Sequence, residues 1–345
     1  MVTREDVAAA LRSREFSGVV RVVHRGECLL QHSAGCLRSG AVEPIGADTR
    51  FAAASMSKMF TALCLARLAE AGECDLDRPI ADYTAEAACF GEEVTLNSLL
   101  SHRSGLGDYI DDDARLPFSA LPVEKLTHVS AFLPFVLRAP RHTPGVFRYS
   151  SAGFVLLGSA IEAITGQPYP QAVRDGVLDP AKLVSTGFDR LDDATPDFAW
   201  GYLENGEVNH GHLPPVGGPD GGVVTTVGDL ERLASWMKSD EAFGDTTREN
   251  LWRQTSGAGE GEGYAHGFDV MKIAGQTWVG HTGSDPGVSA RGVFAKQSES
   301  SIVVLCNRDS IAFRVFRLIR HWIDKEGWPK APIDVEDLPG EMAPE

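Results

Sequence analysis

The strongest helix signal near the start of the chain is residues 55–71, SMSKMFTALCLARLAEA. The segment is rich in alanine, leucine and methionine, and Gly72 is well placed to end a helix. The predicted helix is apolar on nearly every side, which is typical of an element buried at the centre of a domain. Its first turn carries Ser55 and Lys58. At that spacing the two side chains share one helix face, about 5–6 Å apart at Cβ.

Strand patterns lie on both sides of this helix in the chain. Upstream, GVVRVVH (18–24) and CLLQHS (28–33) predict a β-hairpin. Downstream, the patterns that predict strands are TWVGHTG (277–283), VSARGVFA (288–295) and SIVVLC (301–306). The economical packing is one antiparallel five-stranded sheet that both ends of the chain complete, with helices on its faces.

The segment between the two groups of strands alternates helical patterns with turn-rich loops, as in AGFVLLGSAIEAIT (152–165). We therefore predict an α+β fold, in which residues 1–74 and 216–328 form a discontinuous sheet domain and residues 75–215 a mostly helical domain. Residues 329–345 are proline-rich and acidic, and we expect them to form a loosely held tail. A cleft between the two regions would be a common place for a site.

Composition excludes several classes of function. The 345 residues include 48 acidic and 32 basic side chains, a formal net charge of −16 that makes nucleic acid and anionic lipid poor partners. No apolar run reaches the length of about 18 residues that a membrane span needs, and the amino terminus lacks the apolar core of a signal peptide. The six cysteines show no CxxC spacing. We expect a cytoplasmic protein without metal or cofactor, acting on a small molecule.

The pair Ser55 and Lys58 suggests nucleophilic catalysis. A serine hydroxyl is a weak nucleophile until a neighbouring base takes its proton, and a lysine is such a base if burial depresses its pKa. The amino terminus of the helix adds partial positive charge and free N–H groups where an oxyanion would develop. Alone, the spacing SxxK is weak evidence, because it occurs by chance in many proteins.

Two further segments strengthen the hypothesis. Tyr149 follows the turn Pro144-Gly145 and stands directly before a predicted helix, so its ring is held rigidly. It would either face a cleft beside a cation or be a half-buried tyrosine with a hydrogen-bonded hydroxyl. His281-Thr282-Gly283 ends a predicted strand of the central sheet. Gly283 allows close backbone approach, and the next N–H group, on Ser284, is a candidate oxyanion donor.

In this order the motifs SMSK (55–58), YSS (149–151) and HTG (281–283) resemble those of the penicillin-recognising serine hydrolases. These are the class C β-lactamases, the D-alanyl-D-alanine carboxypeptidases and their esterase and D-aminopeptidase relatives. The resemblance extends over residues 16–325 and includes the segment LLSHRSGLGDY (99–109). It implies a β-lactamase/transpeptidase-like fold and an enzyme that cleaves a carboxylic ester or amide.

The resemblance also implies a role for each motif residue. Ser55 would be the nucleophile, and Lys58 and Tyr149 would share the proton relay, with the identity of the base left open. The backbone N–H groups of Ser55 and Ser284 would form the oxyanion hole, while His281 and Thr282 would line the pocket. Water would then attack the acyl-enzyme and regenerate Ser55.

Two positions depart from the family pattern. Ser151 stands where β-lactamases and carboxypeptidases usually have asparagine, and a hydroxyl does not offer the same donor–acceptor pair. His281 stands where β-lactamases usually have lysine, and a mostly neutral imidazole attracts a substrate carboxylate less. Arg291 on the following strand would either supply that charge or point to solvent. These departures favour an esterase over an enzyme of β-lactams or peptides.

Other functions remain open at this point. The chain would alternatively be a penicillin-binding or sensor-like module that is acylated without turnover, or an acyltransferase in which an alcohol or amine replaces water. A non-catalytic scaffold that has kept only the fold is the fourth hypothesis. The presence of all three residues, Ser55, Lys58 and Tyr149, argues against the scaffold.

Overall fold

The computed structural model describes residues 2–40, 42–109, 121–193, 195–257 and 262–337. Its helices are α1 (Arg4–Arg12), α2 (Ser57–Glu70), α3 (Leu96–Leu100), α4 (Val129–Val136), α5 (Ser151–Thr165), α6 (Tyr169–Val173), α7 (Val227–Met237), α8 (Asp245–Leu251) and α9 (Ile311–Glu326). Its strands are β1 (Gly18–His24), β2 (Glu27–Ala34), β3 (Arg50–Ala52), β4 (Phe198–Ala199), β5 (Val224–Thr225), β6 (Ser256–Gly257), β7 (Glu262–Tyr264), β8 (Asp269–Ile273), β9 (Gln276–Asp285), β10 (Val288–Ala295) and β11 (Ser301–Cys306).

The large sheet has the strand order β2-β1-β11-β10-β9-β8-β7-β6 and is antiparallel throughout. The five predicted strands are its first five members, and the hairpin at the amino terminus pairs with β11 near the carboxyl terminus, as the sequence predicts. The predicted number of five is wrong, because the described residues form eight strands in this sheet. The three extra strands β8, β7 and β6 have five, three and two residues, too short for a clear alternating pattern.

Two hydrophobic clusters cover the faces of the sheet. On one face, α1 and α9 pack over side chains that include Trp278 and Val293. On the other face, α2 lies in the larger cluster with α5, α7 and β9. The helix α2 is buried along its first ten residues, which confirms the expectation from its apolar sequence. Because α2 is central, the residues of its first turn are fixed against the sheet and against α5.

The segment between residues 75 and 215 contains α3, α4, α5 and α6 and the two-residue strand β4 among its described residues. Gly166 ends α5 in the left-handed conformation, with φ of 68°. Part of the predicted tail packs against the sheet. The N–H of Ile333 donates to the carbonyl of Leu29 at 2.7 Å, and Val335 is buried. Residues 338–345 lie outside the described part of the chain. Among the described residues, no helix is long and apolar enough to cross a bilayer.

Candidate active site

Ser55 lies in a short 3₁₀ turn, Ala54–Met56, that leads into α2. The turn is held by the backbone on both sides. The N–H of Ala53 donates to the carbonyl of Val223 at 2.7 Å, and the N–H of Gly222 donates to the carbonyl of Ala54 at 3.1 Å. Ala54 itself has φ of 48°, a left-handed conformation that costs energy for an alanine. Backbone strain of this kind is often found at functional sites.

Lys58 is fully buried, and its ammonium has at least three hydrogen-bond acceptors. Nζ donates to Ser55 Oγ at 3.2 Å, to Ser151 Oγ at 3.3 Å and to the carbonyl of Asp220 at 2.6 Å. An ammonium has three N–H bonds, so these contacts satisfy the group completely. The structure therefore brings Ser151 to the same ammonium as Ser55.

The pKa of Lys58 differs from the sequence-based expectation. Burial lowers this pKa, but the opposing effects of Tyr149, Asp220 and Asp108 outweigh it, and the pKa is raised. Lys58 therefore holds its proton at neutral pH. The expected depression by burial is not found, because Tyr149 and the carboxylates of Asp220 and Asp108 favour the charged form of the amine.

Tyr149 faces the same cluster. Lys58 Nζ lies 4.9 Å from the centre of its ring, and its hydroxyl makes hydrogen-bonding contacts with Ser55 and Lys58. Burial raises the pKa of Tyr149, and the charge of Lys58 and the contact with Ser55 offset the rise only in part. The structure therefore places Tyr149 in the cleft beside a cation, the first of the two predicted alternatives, and its hydroxyl is also hydrogen-bonded.

A histidine supports the backbone around Tyr149. His102 is buried, its ring lies 4.3 Å from that of Tyr149, and Nδ1 accepts a hydrogen bond from the N–H of Ser150 at 3.1 Å. The carbonyl of His102 accepts from the N–H of Arg148 at 2.8 Å. Backbone groups on both sides of Tyr149 are thereby tied to one residue. Asp108 fixes the following turn, because its Oδ2 accepts from the N–H of Ser151 at 2.7 Å.

His281 is placed on β9 beside the cluster but is fully engaged by the protein. Its Nδ1 donates to the carbonyl of Thr282 at 2.5 Å, and its Nε2 accepts from the hydroxyl of Tyr264 at 2.9 Å. Burial lowers the pKa of His281 to about 4, although Asp269 opposes the shift. The imidazole is therefore neutral at pH 7. It offers no charge to an anionic substrate, as the sequence suggested.

Gly283 and Ser284 follow on the same strand. A Cβ atom at Gly283 would collide with the carbonyl oxygen of Ala53, so this position of β9 requires glycine for close approach to the chain entering α2. Ser284 is exposed and lines the cavity in front of Ser55. The strand therefore brings the backbone of residues 283–284 to the turn that carries the serine.

Arg291 does not face solvent and does not offer a free charge. Its guanidinium forms an ion pair with Asp269 and lies 5.0 Å from the ring of Phe316 on α9. Asp269 also accepts from the hydroxyl of Thr282 at 3.0 Å. Burial raises the pKa of Asp269, but Arg291 outweighs that effect, and the pKa is lowered. Neither predicted alternative for Arg291, a substrate contact or a solvent-facing side chain, describes this buried pair.

We expect Arg291→Met to destabilise the fold by about 2–4 kcal/mol, because it leaves Asp269 as a partly buried carboxylate without its cation. Guanidinium chloride unfolding followed by circular dichroism measures the loss. The double variant Arg291→Met with Asp269→Asn should lose less, since the uncompensated charge is gone. Wild-type stability of the single variant would contradict the structural role of this pair.

A cavity of about 290 Å³ opens in front of Ser55. Its apolar wall consists of Tyr109, Phe132, Leu191, Leu213, Pro214 and Val216. The aspartates among its lining residues are Asp108, Asp220 and Asp285. A wider depression of about 600 Å³ lies over α7, but its lining residues include no serine paired with a buried lysine. We therefore take the smaller cavity, which contains the serine paired with a buried lysine, as the candidate active site.

The sequence interpretation missed several residues of this cavity. Asp108 and Tyr109 belong to LLSHRSGLGDY, and Asp220 begins DGGVVTT, segments that look familiar from the family without a named role. Asp285 directly follows the candidate oxyanion donor Ser284, and its position next to a motif is the one signal that could have identified it. Outside the cavity lining, Tyr264, the hydrogen-bond partner of His281, lies on β7, a strand that the pattern did not predict.

A serine beside a buried lysine and a tyrosine, in a cleft beside an antiparallel sheet, is the arrangement of an acyl-transferring serine hydrolase. The chain belongs to the beta-lactamase family, whose model matches residues 4–323. The structure of a penicillin-binding protein from Bacillus halodurans is similar, with 28% identity and a TM-score of 0.83 over 91% of this chain and 99% of that chain.

Two sequence relatives indicate how varied such proteins are. Penicillin-binding protein 4 of Amycolatopsis lactamdurans is 28% identical over 280 residues, which are 74% of this chain and 71% of that protein. Esterase EstB of Burkholderia gladioli is 33% identical over 191 residues, about half of each chain at 52% and 49%. These comparisons confirm the predicted family, the predicted β-lactamase/transpeptidase-like fold and the predicted class of enzyme, a serine hydrolase for esters or amides.

Proposed function

We propose that Ser55 is the nucleophile of this hydrolase and that it forms a covalent acyl-enzyme with a small ester or amide. The observation that carries the proposal is the contact of one hydroxyl with both a buried ammonium, at 3.2 Å, and a phenol. A hydroxyl in that position can lose its proton to one partner while the other stabilises the charge that moves. The cavity in front of Ser55 has room for a small molecule.

The raised pKa of Lys58 supports a division of labour between the two partners. Lys58 stays an ammonium, and its charge lowers the energy of a phenolate at Tyr149. The phenolate oxygen of Tyr149 then takes the proton of Ser55 as Oγ bonds to the substrate carbonyl carbon. The resulting oxyanion would accept hydrogen bonds from the N–H groups of Ser55 and Ser284.

The second half of the reaction returns the enzyme to its starting state. The carbonyl re-forms, the bond to the alcohol or amine breaks, and Tyr149 gives its proton to that leaving group. Water then loses a proton to Tyr149 and attacks the acyl carbon, and Ser55 leaves with the same proton. The sum is hydrolysis of one ester or amide bond, without change of the protein.

The charge of the site supports an ester or simple amide over a substrate with a carboxylate. His281 is neutral, and Arg291 is neutralised by Asp269, so neither offers a free cation. Three aspartates among the lining residues would repel a substrate carboxylate. Ser151, where asparagine is usual, presents only a hydroxyl, and that hydroxyl already accepts from Lys58.

A panel of three chromogenic substrates tests the proposal. The substrates are p-nitrophenyl butyrate, the cephalosporin nitrocefin and D-alanyl p-nitroanilide. We expect continuous turnover of the butyrate ester and little or none of nitrocefin. A stoichiometric burst without turnover would instead indicate a sensor-like protein, and a rate that rises with added alcohol, with ester formed, would indicate an acyltransferase. Absence of both turnover and burst with all three substrates would contradict the proposal.

A further inference from the structure

We propose, on the basis of the function proposed above, that Asp285 binds a protonated amine of the substrate. The substrate class would then be esters or amides that carry a cationic amine within a few bonds of the scissile carbonyl. The proposal stands on the position of Asp285 in the cavity, on the bonding of its neighbours and on the cavity's charge.

The position of Asp285 follows from the alternation of β9. Successive side chains of a strand point to opposite faces, so Asp285 shares its face with Gly283 and His281. That face is directed toward α2, because Gly283 abuts Ala53 at the turn that carries Ser55. Asp285 accordingly lines the same cavity as Ser55.

The other two aspartates of the cavity are already bonded to the protein. Asp108 accepts from the N–H groups of Ser151 at 2.7 Å and Tyr109 at 2.7 Å. Asp220 accepts from the hydroxyl of Tyr109 at 2.7 Å. For the carboxylate of Asp285, by contrast, no hydrogen bond or ion pair exists within the part of the chain that the structure describes. Among the three aspartates that line the cavity, Asp285 is therefore the one whose two carboxylate oxygens are both available to a ligand.

The cation nearest to the cluster does not satisfy Asp285. The hydrogen bonds of Lys58 go to Ser55, Ser151, the carbonyl of Asp220 and Tyr149, and none of them goes to Asp285. Burial raises the pKa of Asp285 to about 7. The charge of Lys58 opposes this rise, whereas the negative charge of Asp220 adds to it. A carboxylate held in this way is poorly solvated and lacks a counterion, so a substrate ammonium would supply the missing charge.

The remaining lining of the cavity fits such a substrate. The described residues that line it include three aspartates and no lysine, arginine or histidine. Beside them stands an apolar wall that includes Phe132, Leu191 and Leu213. A substrate that combines an ammonium with an apolar group would pair its charge with Asp285 and bury the apolar part against that wall.

Two isosteric pairs of esters test the proposal at pH 7, because each pair differs mainly by the charged nitrogen. Alanine methyl ester and methyl isobutyrate place it in the acyl group. The esters 2-(dimethylamino)ethyl acetate and 3-methylbutyl acetate place it in the leaving group. We expect the enzyme to prefer the amine in at least one pair by about tenfold or more in kcat/KM. Asp285→Asn should reduce that preference by about the same factor.

The matched control is Asp240→Asn, which removes the same charge from an aspartate whose side chain is 97% exposed and does not line the cavity. It should keep the preference. Equal kcat/KM values for the amine and its isostere in both pairs would overturn the proposal, and so would a preference that survives in Asp285→Asn.

A binding measurement separates this proposal from the proposed nucleophile. The variant Ser55→Ala forms no acyl-serine, so calorimetric titration with 2-(dimethylamino)ethyl acetate and with alanine methyl ester reports on binding alone. At least one of these amines should bind Ser55→Ala about tenfold more tightly than it binds Ser55→Ala with Asp285→Asn. If each of the two amines bound the two variants with equal affinity, the role of Asp285 would be overturned. Full hydrolytic activity of Ser55→Ala would instead overturn only the role of Ser55.

Discussion

Ser55→Ala should lower kcat for p-nitrophenyl butyrate by roughly 10⁴- to 10⁶-fold, because loss of the nucleophile removes the acyl-enzyme route and leaves only binding and oxyanion stabilisation. The substitution deletes one buried hydroxyl contact of Lys58 and changes no helix or strand. Steady-state kinetics with a chromogenic ester measures the effect, and thermal unfolding shows whether the variant is folded.

The matched control is Ser39→Ala, at an exposed serine remote from the cavity. It should keep the wild-type rate within a factor of about two, since surface substitutions outside functional features have small effects. A folded Ser55→Ala variant with a rate near that of Ser39→Ala would show that the ester is cleaved elsewhere in the protein.

Lys58→Ala and Tyr149→Phe should each lower kcat/KM by about 10²–10⁴-fold, the range typical of lost proton-transfer assistance. The reasons differ. In the proposed mechanism, Tyr149→Phe removes the oxygen that would take the proton of Ser55, whereas Lys58→Ala removes the ammonium that would stabilise the phenolate. Tyr83→Phe and Lys325→Ala provide conservative controls outside the cavity. Wild-type rates in both site variants would refute the relay.

The same relay makes the rate depend on pH. The pKa values of Lys58 and Tyr149 are both raised, so at neutral pH the pair carries one proton more than the reactive form. The fraction of enzyme with a phenolate therefore grows as the pH rises, and kcat/KM of the wild-type enzyme should increase through the alkaline range. In Tyr149→Phe this increase should be much weaker. A wild-type profile that falls above neutral pH would contradict the assigned protonation states.

Much of the fold follows from local patterns in the sequence. The long strands β9, β10 and β11 alternate or run apolar over six to ten residues, and α2 is apolar on nearly every side. These elements are decided by periodicity, so the sheet core and the central helix are predictable. The strands β8, β7 and β6 are not, because pairing with the edge of an existing sheet, and not a pattern of their own, places them there.

The candidate site, like the fold, is predictable from the sequence only in part. Ser55, Lys58, Tyr149 and the segment 281–284 are recognisable as motifs, and the structure brings them together. The partners that set their charges are not recognisable in this way. Asp269, which neutralises Arg291, lies on the unpredicted strand β8, and the carbonyl of Asp220 reaches Lys58 from a loop more than 150 residues away. Such contacts depend on tertiary packing, which local sequence patterns do not predict.

The central claim is that one hydroxyl, that of Ser55, is activated by Lys58 and Tyr149. Labelling with a fluorophosphonate, followed by mass spectrometry of the intact protein and of its peptides, tests this claim most directly. The account predicts a single adduct on the peptide that contains Ser55, no adduct in Ser55→Ala, and slow labelling in Lys58→Ala and Tyr149→Phe. An adduct on a different serine, or labelling of Ser55→Ala at the wild-type rate, would contradict it.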